Sequence, residues 1–170
     1  MKAHARMVQG QAFEPAAFRD VLGHFATGVT VVTTLGDKGA PVGLAANSFA
    51  SVSLDPPLIV WSISLQSPSL GAFRRHGFFA INIMCDQSKD LALNFARPSE
   101  DKFAGVDWRS GLSGVPVLKA ASAVIQCRTK ARMPGGDHEI YLGHVLELDQ
   151  TDKAPLLFHK GEFATLGDKI

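Results

Sequence analysis

Three short segments of the chain carry side chains suited to holding a ligand: Ser67-Pro68-Ser69, Asn47-Ser48, and Gly135-Gly136-Asp137-His138. In the first, Ser67 reads as a helix cap, Pro68 as the first helical residue, and Ser69 as a second hydroxyl. A helix start offers free N–H groups to an anion, and Arg74 and Arg75 follow one to two turns later. The plain alternative is an ordinary serine cap beside a solvated arginine face. In the second, Asn47 and Ser48 interrupt an apolar stretch flanked by Ala45, Ala46 and Phe49. Small neighbours let a flat ligand approach the backbone, and Asn and Ser supply donors and acceptors; a strand bending into a turn would look the same. In the third, the glycines make a turn that either presents Asp137 and His138 to a substrate or simply closes a hairpin. Missing are a Gly-x-Ser-x-Gly elbow, a Walker loop, a Gly-x-Gly-x-x-Gly after a strand, and a His-Glu-x-x-His, and the six histidines are scattered. No catalytic residue and no metal ligand is assigned. A protein without acid–base machinery can still work through a cofactor that carries the hard chemistry.

These segments need elements to position them. Residues 1–12 read as a flexible tail, with one domain over 13–170. Glu14-Pro15 opens a helix whose Phe18, Val21, Leu22 and Phe25 recur at the spacing of one buried face, stopped by Gly28. Val29 to Thr34 is a strand of valine and threonine. After the turn Gly36 to Gly39, Pro41 to Ser53 reads as a second strand, broken by Asp55-Pro56-Pro57. Leu58 to Ser64, almost wholly apolar, is a third and central strand. Ser67 to His76 is a short helix ended by Gly77, Phe78 to Met84 a fourth strand, and Ser88 to Ala96 another short helix. Residues 98–117 read as a long surface excursion, of a length that is often functional. Strands then follow from Ala121 to Lys130, around Ile140 to Leu148, and from Leu156 to Phe163. Six to seven strands with Gly/Pro turns and a few short helices predict a mainly β, closed antiparallel barrel.

Composition narrows the function. With 17 Lys plus Arg against 16 Asp plus Glu in 170 residues, the net charge is +1, which gives no field for steering nucleic acid or an anionic membrane. Apolar residues are 46% and charged residues 19%, as in a folded domain. No apolar run approaches the ~20 residues of a membrane span, and the start has no secretory pattern. Cys85 and Cys127 read as small buried thiols, and a cytoplasmic location is expected.

Taken together, FATGVTVVTT (25–34), GLAANSFASVSLDPP (43–57), FFAINIM (78–84), the Phe-Ala at 95–96 and GGDHEIYLGHV (135–145) resemble the flavin reductases of two-component monooxygenases. The fold of that family is the FMN-binding split barrel. The resemblance runs from about Phe18 to Phe163. Where the family commonly has Thr-Ala-Asn-Ser, this chain has Ala45-Ala46-Asn47-Ser48, one hydroxyl fewer.

The resemblance implies a NAD(P)H:flavin oxidoreductase that passes hydride from NADH (or NADPH) to FMN (or FAD). Reduced flavin would go to a partner monooxygenase, by diffusion if no complex forms. A homodimer is implied, with no nucleic-acid or membrane partner. By position, Thr30, Val31, Val32 and Ala46 would border the flavin, and Asn47 and Ser48 would hydrogen-bond the ring edge. Ser62, Ser64, Ser67 and Ser69 would serve the ribityl-phosphate end. Asp137 and His138 would face the nicotinamide, positioning it without moving a proton. The alternative is a non-catalytic flavin-binding sensor or storage protein on the same barrel. An oxidase of pyridoxamine-phosphate type would need a strongly cationic phosphate site, which the residues do not display.

Overall fold

The computed structural model describes residues 14–168, so the expected tail at 1–12 lies outside the described residues. In chain order the elements are α1 (Pro15–Leu22), β1 (Thr27–Gly28), β2 (Thr30–Leu35), β3 (Pro41–Ala46), β4 (Ala50–Leu54), β5 (Pro57–Ser64), α2 (Leu70–His76), β6 (Phe78–Met84), α3 (Lys89–Ala96), β7 (Trp108–Ser110), β8 (Pro116–Leu118), β9 (Ala121–Gly135), β10 (His138–Gln150), β11 (Leu157–His159) and β12 (Glu162–Ala164). Seven strands form one antiparallel sheet in the order β3-β2-β6-β9-β10-β5-β4. The fold is mainly β with a few short helices, as expected.

The closed barrel is corrected. The ladder ends at β3 on one side and β4 on the other, and among the described residues no backbone pairing joins them. Yet the Ser48 hydroxyl, just past β3, donates to the Ser62 carbonyl at 3.1 Å and accepts from the Ser62 N–H at 3.0 Å. β3 and β5 stand far apart in the ladder, so this contact requires the sheet to curl round on itself. A seam remains where a continuous strand pair would close it.

The expected strand Pro41 to Ser53 is also corrected. Asn47 to Phe49 break it into β3 and β4, which lie at opposite ends of the ladder. Residues 98–117 are not simply surface: β7 and β8 pair, and Val115 and Val117 are buried, as is Leu118 just beyond. The reason is Asn82 in β6. Its amide donates to the Val31 carbonyl at 2.9 Å and accepts from the Leu118 N–H at 2.8 Å, fastening the excursion to the sheet. Strand β5 reads with period two: Ile59, Trp61 and Ile63 are buried while Ser62 and Ser64 lie on the other face. Trp61 packs on Phe73, Phe79 and Tyr141 with ring centroids 4.9, 5.7 and 5.0 Å away, filling the inside of the curled sheet.

A second core lies under α3, where Phe95 meets Val31, Met84, Phe103 and Leu156. Its close approach to β3 depends on Gly43, because a Cβ there would stand 2.7 Å from the Phe95 ring. The α1 face is the third correction. Phe18, Val21 and Leu22, with Phe25 just past the helix, are 52%, 68%, 55% and 77% exposed, so the expected face is not a buried one among the described residues.

Candidate functional site

The seam opens into a groove of about 740 Å³. Its apolar floor comes from the end of β3 (Leu44, Ala45, Ala46), from Ile63 and from Phe95. Its polar rim comes from Asn47 and Ser48 at the strand break, Ser62 and Ser64 on β5, and Ser67 in the following turn. His138, at the start of β10, lies opposite Ser64 in the ladder and closes one end. The far wall is the segment after α3: Ala96, Arg97, Pro98, Ser99, Glu100 and Lys102. A flat apolar bed edged by hydroxyl and amide groups is the form a planar aromatic ligand with a polar perimeter requires.

Of the residues singled out from sequence, Ala46, Asn47, Ser48, Ser62, Ser64, Ser67 and His138 meet at this groove. Others do not. Thr30, Val31 and Val32 are buried behind it. The Thr30 hydroxyl donates to the Ala46 carbonyl at 2.6 Å, and both valines are fully enclosed in the two cores. They support the floor from within; the alternation of β2 is hidden because both of its faces are covered. Ser69 lines a neighbouring cavity instead. The helix begins later than expected: α2 starts at Leu70 with Ser69 before it, and the Ser67 hydroxyl accepts from the Ser69 N–H at 3.3 Å. Ser67 and Pro68 therefore belong to the preceding turn.

Asp137 is outside the groove lining, but it holds His138. Its carboxylate lies 2.7 Å from Nδ1 of the adjacent His138, at the end of the two-residue turn that Gly136 permits with φ +70°. The hydrogen bond and then the charge of His138 hold the Asp137 carboxyl below the ordinary aspartate range. A depressed acid stays ionised above its unfolded value and loses its advantage only as pH falls through the folded value, below about 3.9. The acceptor for His138 is therefore present throughout the neutral range.

Sequence reasoning quoted Phe95 only as part of the resemblance and missed Arg97 and Lys102 as groove residues. The Lys102 ammonium donates to the Phe95 carbonyl at 2.8 Å, and its own carbonyl accepts from the Asn94 amide at 2.7 Å. Burial pulls the Lys102 pKa down. The one signal was the length of the excursion after α3. Burial pushes the Cys127 thiol up to about 12, so it is no nucleophile at neutral pH. Among the described residues, no group of three or more His, Cys, Asp or Glu side chains is placed to hold a metal, and no helix is long and apolar enough to cross a membrane.

Residues 22–167 match the family model described as "Flavin reductase like domain". The chain belongs to the flavin reductase family. It is 40% identical over 157 residues to the HsaB reductase subunit of a flavin-dependent monooxygenase from Rhodococcus jostii, covering 92% of this chain and 80% of that one. It is 42% identical over 147 residues to SmoA, an FMN reductase (NADH) of Agrobacterium fabrum, covering 86% and 83%. The solved structure of the NADH:FAD oxidoreductase SgcE6 of Streptomyces globisporus, in complex with NAD and FAD fragments, superposes with a TM-score of 0.86 at 34% identity, covering 93% of this chain and 98% of that one. The chain spans about half the length of two longer relatives.

The groove of this flavin reductase fits a flavin on its own features. Its floor is apolar, its rim carries hydroxyl and amide groups, and no buried carboxylate intrudes among its lining side chains.

Proposed function

We propose that this protein takes a hydride from NADH and delivers it to FMN or FAD, releasing reduced flavin to a partner monooxygenase. The observation that carries the reading is the groove itself, where an apolar floor and a hydroxyl rim meet His138. A bound flavin supplies the hydride-accepting chemistry, so the chain need only hold and orient. Asn47 and Ser48 bond the ring edge, Ser62, Ser64 and Ser67 serve the sugar-alcohol end, and His138, steadied by Asp137, positions the nicotinamide. Thr30, Val31 and Val32 keep the floor in place from behind. NADH rather than NADPH is preferred, because among the described residues no arginine cluster stands free beside His138: Arg74 and Arg132 are both engaged by Glu139, at 2.7 and 3.5 Å.

His138→Ala is expected to raise the KM for NADH roughly two- to tenfold, the worth of one neutral hydrogen bond. Flavin affinity should stay within about twofold and kcat should fall only modestly. Steady-state kinetics with each nicotinamide check this, and a rate collapse of ~10²-fold with loss of a pH step near 6.5 would mean proton transfer instead. Ser67→Ala should weaken FMN about two- to tenfold more than riboflavin, read by titration of flavin fluorescence. Equal weakening of both ligands would move the phosphate away from Ser67.

The assembly is a homodimer. The apolar strands β5 and β6 do not demand it, since Trp61, Ile63, Phe79 and Ile81 are buried within one chain. The surplus lies elsewhere: the exposed α1 face, together with Val52 and Leu54 on β4, at 52% and 94% exposure. Light scattering at micromolar concentration should give twice the chain mass, and a monomer with flavin bound contradicts the assignment. A cytoplasmic location accords with Cys85 and Cys127 remaining free thiols. The chain forms one domain over 13–170.

A further inference from the structure

His138 stands between two spaces. One is the groove; the other, behind it, is a hollow of about 310 Å³ lined by Leu65, Arg74, Arg132, Met133 and Glu139. A ring so placed keeps its position only if the strand that carries it is anchored. Asp137 supplies little anchorage, because its side chain is almost fully exposed and exposed pairs contribute little. The glycines at 135 and 136 add none. Across residues 133–139, Glu139 alone is buried.

Glu139 opposes Ile63 of β5 in the ladder and shares its inward face. One carboxylate oxygen, Oε2, accepts from both Nε and Nη2 of Arg74 at 2.7 Å. The other, Oε1, lies 3.5 Å from Nη1 of Arg132 on β9. Two guanidinium donors on one oxygen fix direction as well as distance. Burying a carboxylate is costly, and an ion pair that repays the cost adds little net stability over an apolar contact. What it enforces is one arrangement of the elements it joins.

The two sides of this clamp are unequal. Arg74 belongs to α2, whose Leu70, Ala72 and Phe73 are buried in the core. The helix is therefore the fixed side, and the hairpin tip is the side that is held. A second tie runs beside it: the Leu65 N–H donates to the Asp137 carbonyl at 2.9 Å.

We propose that Glu139 is a positioning residue for hydride transfer, gripping Arg74 so that the β9–β10 hairpin presents His138 to the nicotinamide. This rests on the flavin reductase reading above and deepens it. Glu139 lies outside the groove lining and acts through His138.

The test is a double-mutant cycle read in KM, with amide exchange as a readout that needs no turnover. Glu139→Gln keeps the shape and removes the charge. Arg74→Gln opens the clamp from the helix side at a half-exposed position, and carries the test if Glu139→Gln does not fold. Each should raise the KM for NADH about two- to tenfold, with kcat falling only modestly and FMN affinity within about twofold. With His138 already replaced by alanine, neither should move KM by more than about twofold, because no ring is left to place. Exchange of the Leu65 N–H should quicken at least about tenfold in both single variants, while the amides of β6 keep their protection. KM effects that multiply with His138→Ala would mean that Glu139 acts by another route, and would overturn the proposal. So would an unchanged KM in either folded variant, or a flavin affinity that falls in step with KM, which marks a structural tie alone. Failure of the reductase reading shows separately: the Leu65 N–H exchanges faster in both variants, yet no form of the protein oxidises NADH.

Discussion

Ala46→Trp is expected to raise the dissociation constant for flavin by about 100-fold or more, while the fold survives. Ala46 ends β3 on the groove floor and also borders a smaller apolar recess lined by Val29, Ala92, Phe158 and Phe163. Its carbonyl is taken by the Thr30 hydroxyl at 2.6 Å, so the backbone stays fixed and the new indole has only the groove or the recess to enter. In the groove it occupies the bed that a planar ligand needs. Losing most of the stacking surface is worth roughly 3 kcal/mol, and each 1.4 kcal/mol is tenfold in affinity. Overpacking at this half-buried position should cost about 1–3 kcal/mol of stability. Calorimetric titration with FMN, beside a thermal melt, separates the two effects. Unaltered flavin affinity in a folded variant would place the ligand elsewhere.

The largest effect on stability is expected from Trp61→Ala. Trp61 is fully buried at the centre of the curled sheet, its ring against Phe73 from α2, Phe79 from β6 and Tyr141 from β10. Those rings come from three different elements, of which β10 is far along the chain from the other two, so they cannot all move in to refill the space. Truncation should therefore lower the unfolding free energy by about 3–5 kcal/mol. Trp61→Phe keeps ring-on-ring contact and loses no hydrogen bond, because the indole N–H meets no acceptor among the described residues. It should cost distinctly less, about 1–2 kcal/mol. Chemical denaturation measures both. Similar losses for the two variants would show that the cluster tolerates collapse, and that Trp61 does not hold the groove's β5 wall in register.

Much of this architecture is legible locally. Phe78 to Met84 forms β6 at its expected bounds, since a short stretch apolar but for Asn82, opening after Gly77, reads as a buried strand. The Gly135-Gly136-Asp137 turn also reads directly, because the positive φ at Gly136 favours a residue without a side chain. What sequence periodicity hides is which surface covers which. It shows that α1 has an apolar face, but not that Phe18, Val21, Leu22 and Phe25 stay more than half exposed among the described residues. Residues 47–49 announce an interruption, yet not that β3 and β4 go to opposite ends of the ladder; strand pairing is non-local, and no short window encodes it. Lys102 illustrates the same limit at the site. Nothing in its spacing links it to Ser67, and only the packing of α3 on Gly43 brings the segment after the helix across the seam.

Anaerobic mixing of the protein with NADH and an equal amount of oxidised flavin tests the central claim most directly. The account predicts that the flavin's visible absorbance bleaches as NADH is consumed, one for one, at a rate proportional to protein and sharply reduced by Ala46→Trp. Flavin that binds in the groove while NADH remains unoxidised, at any nicotinamide concentration, would contradict it and leave a flavin-binding protein without reductase activity.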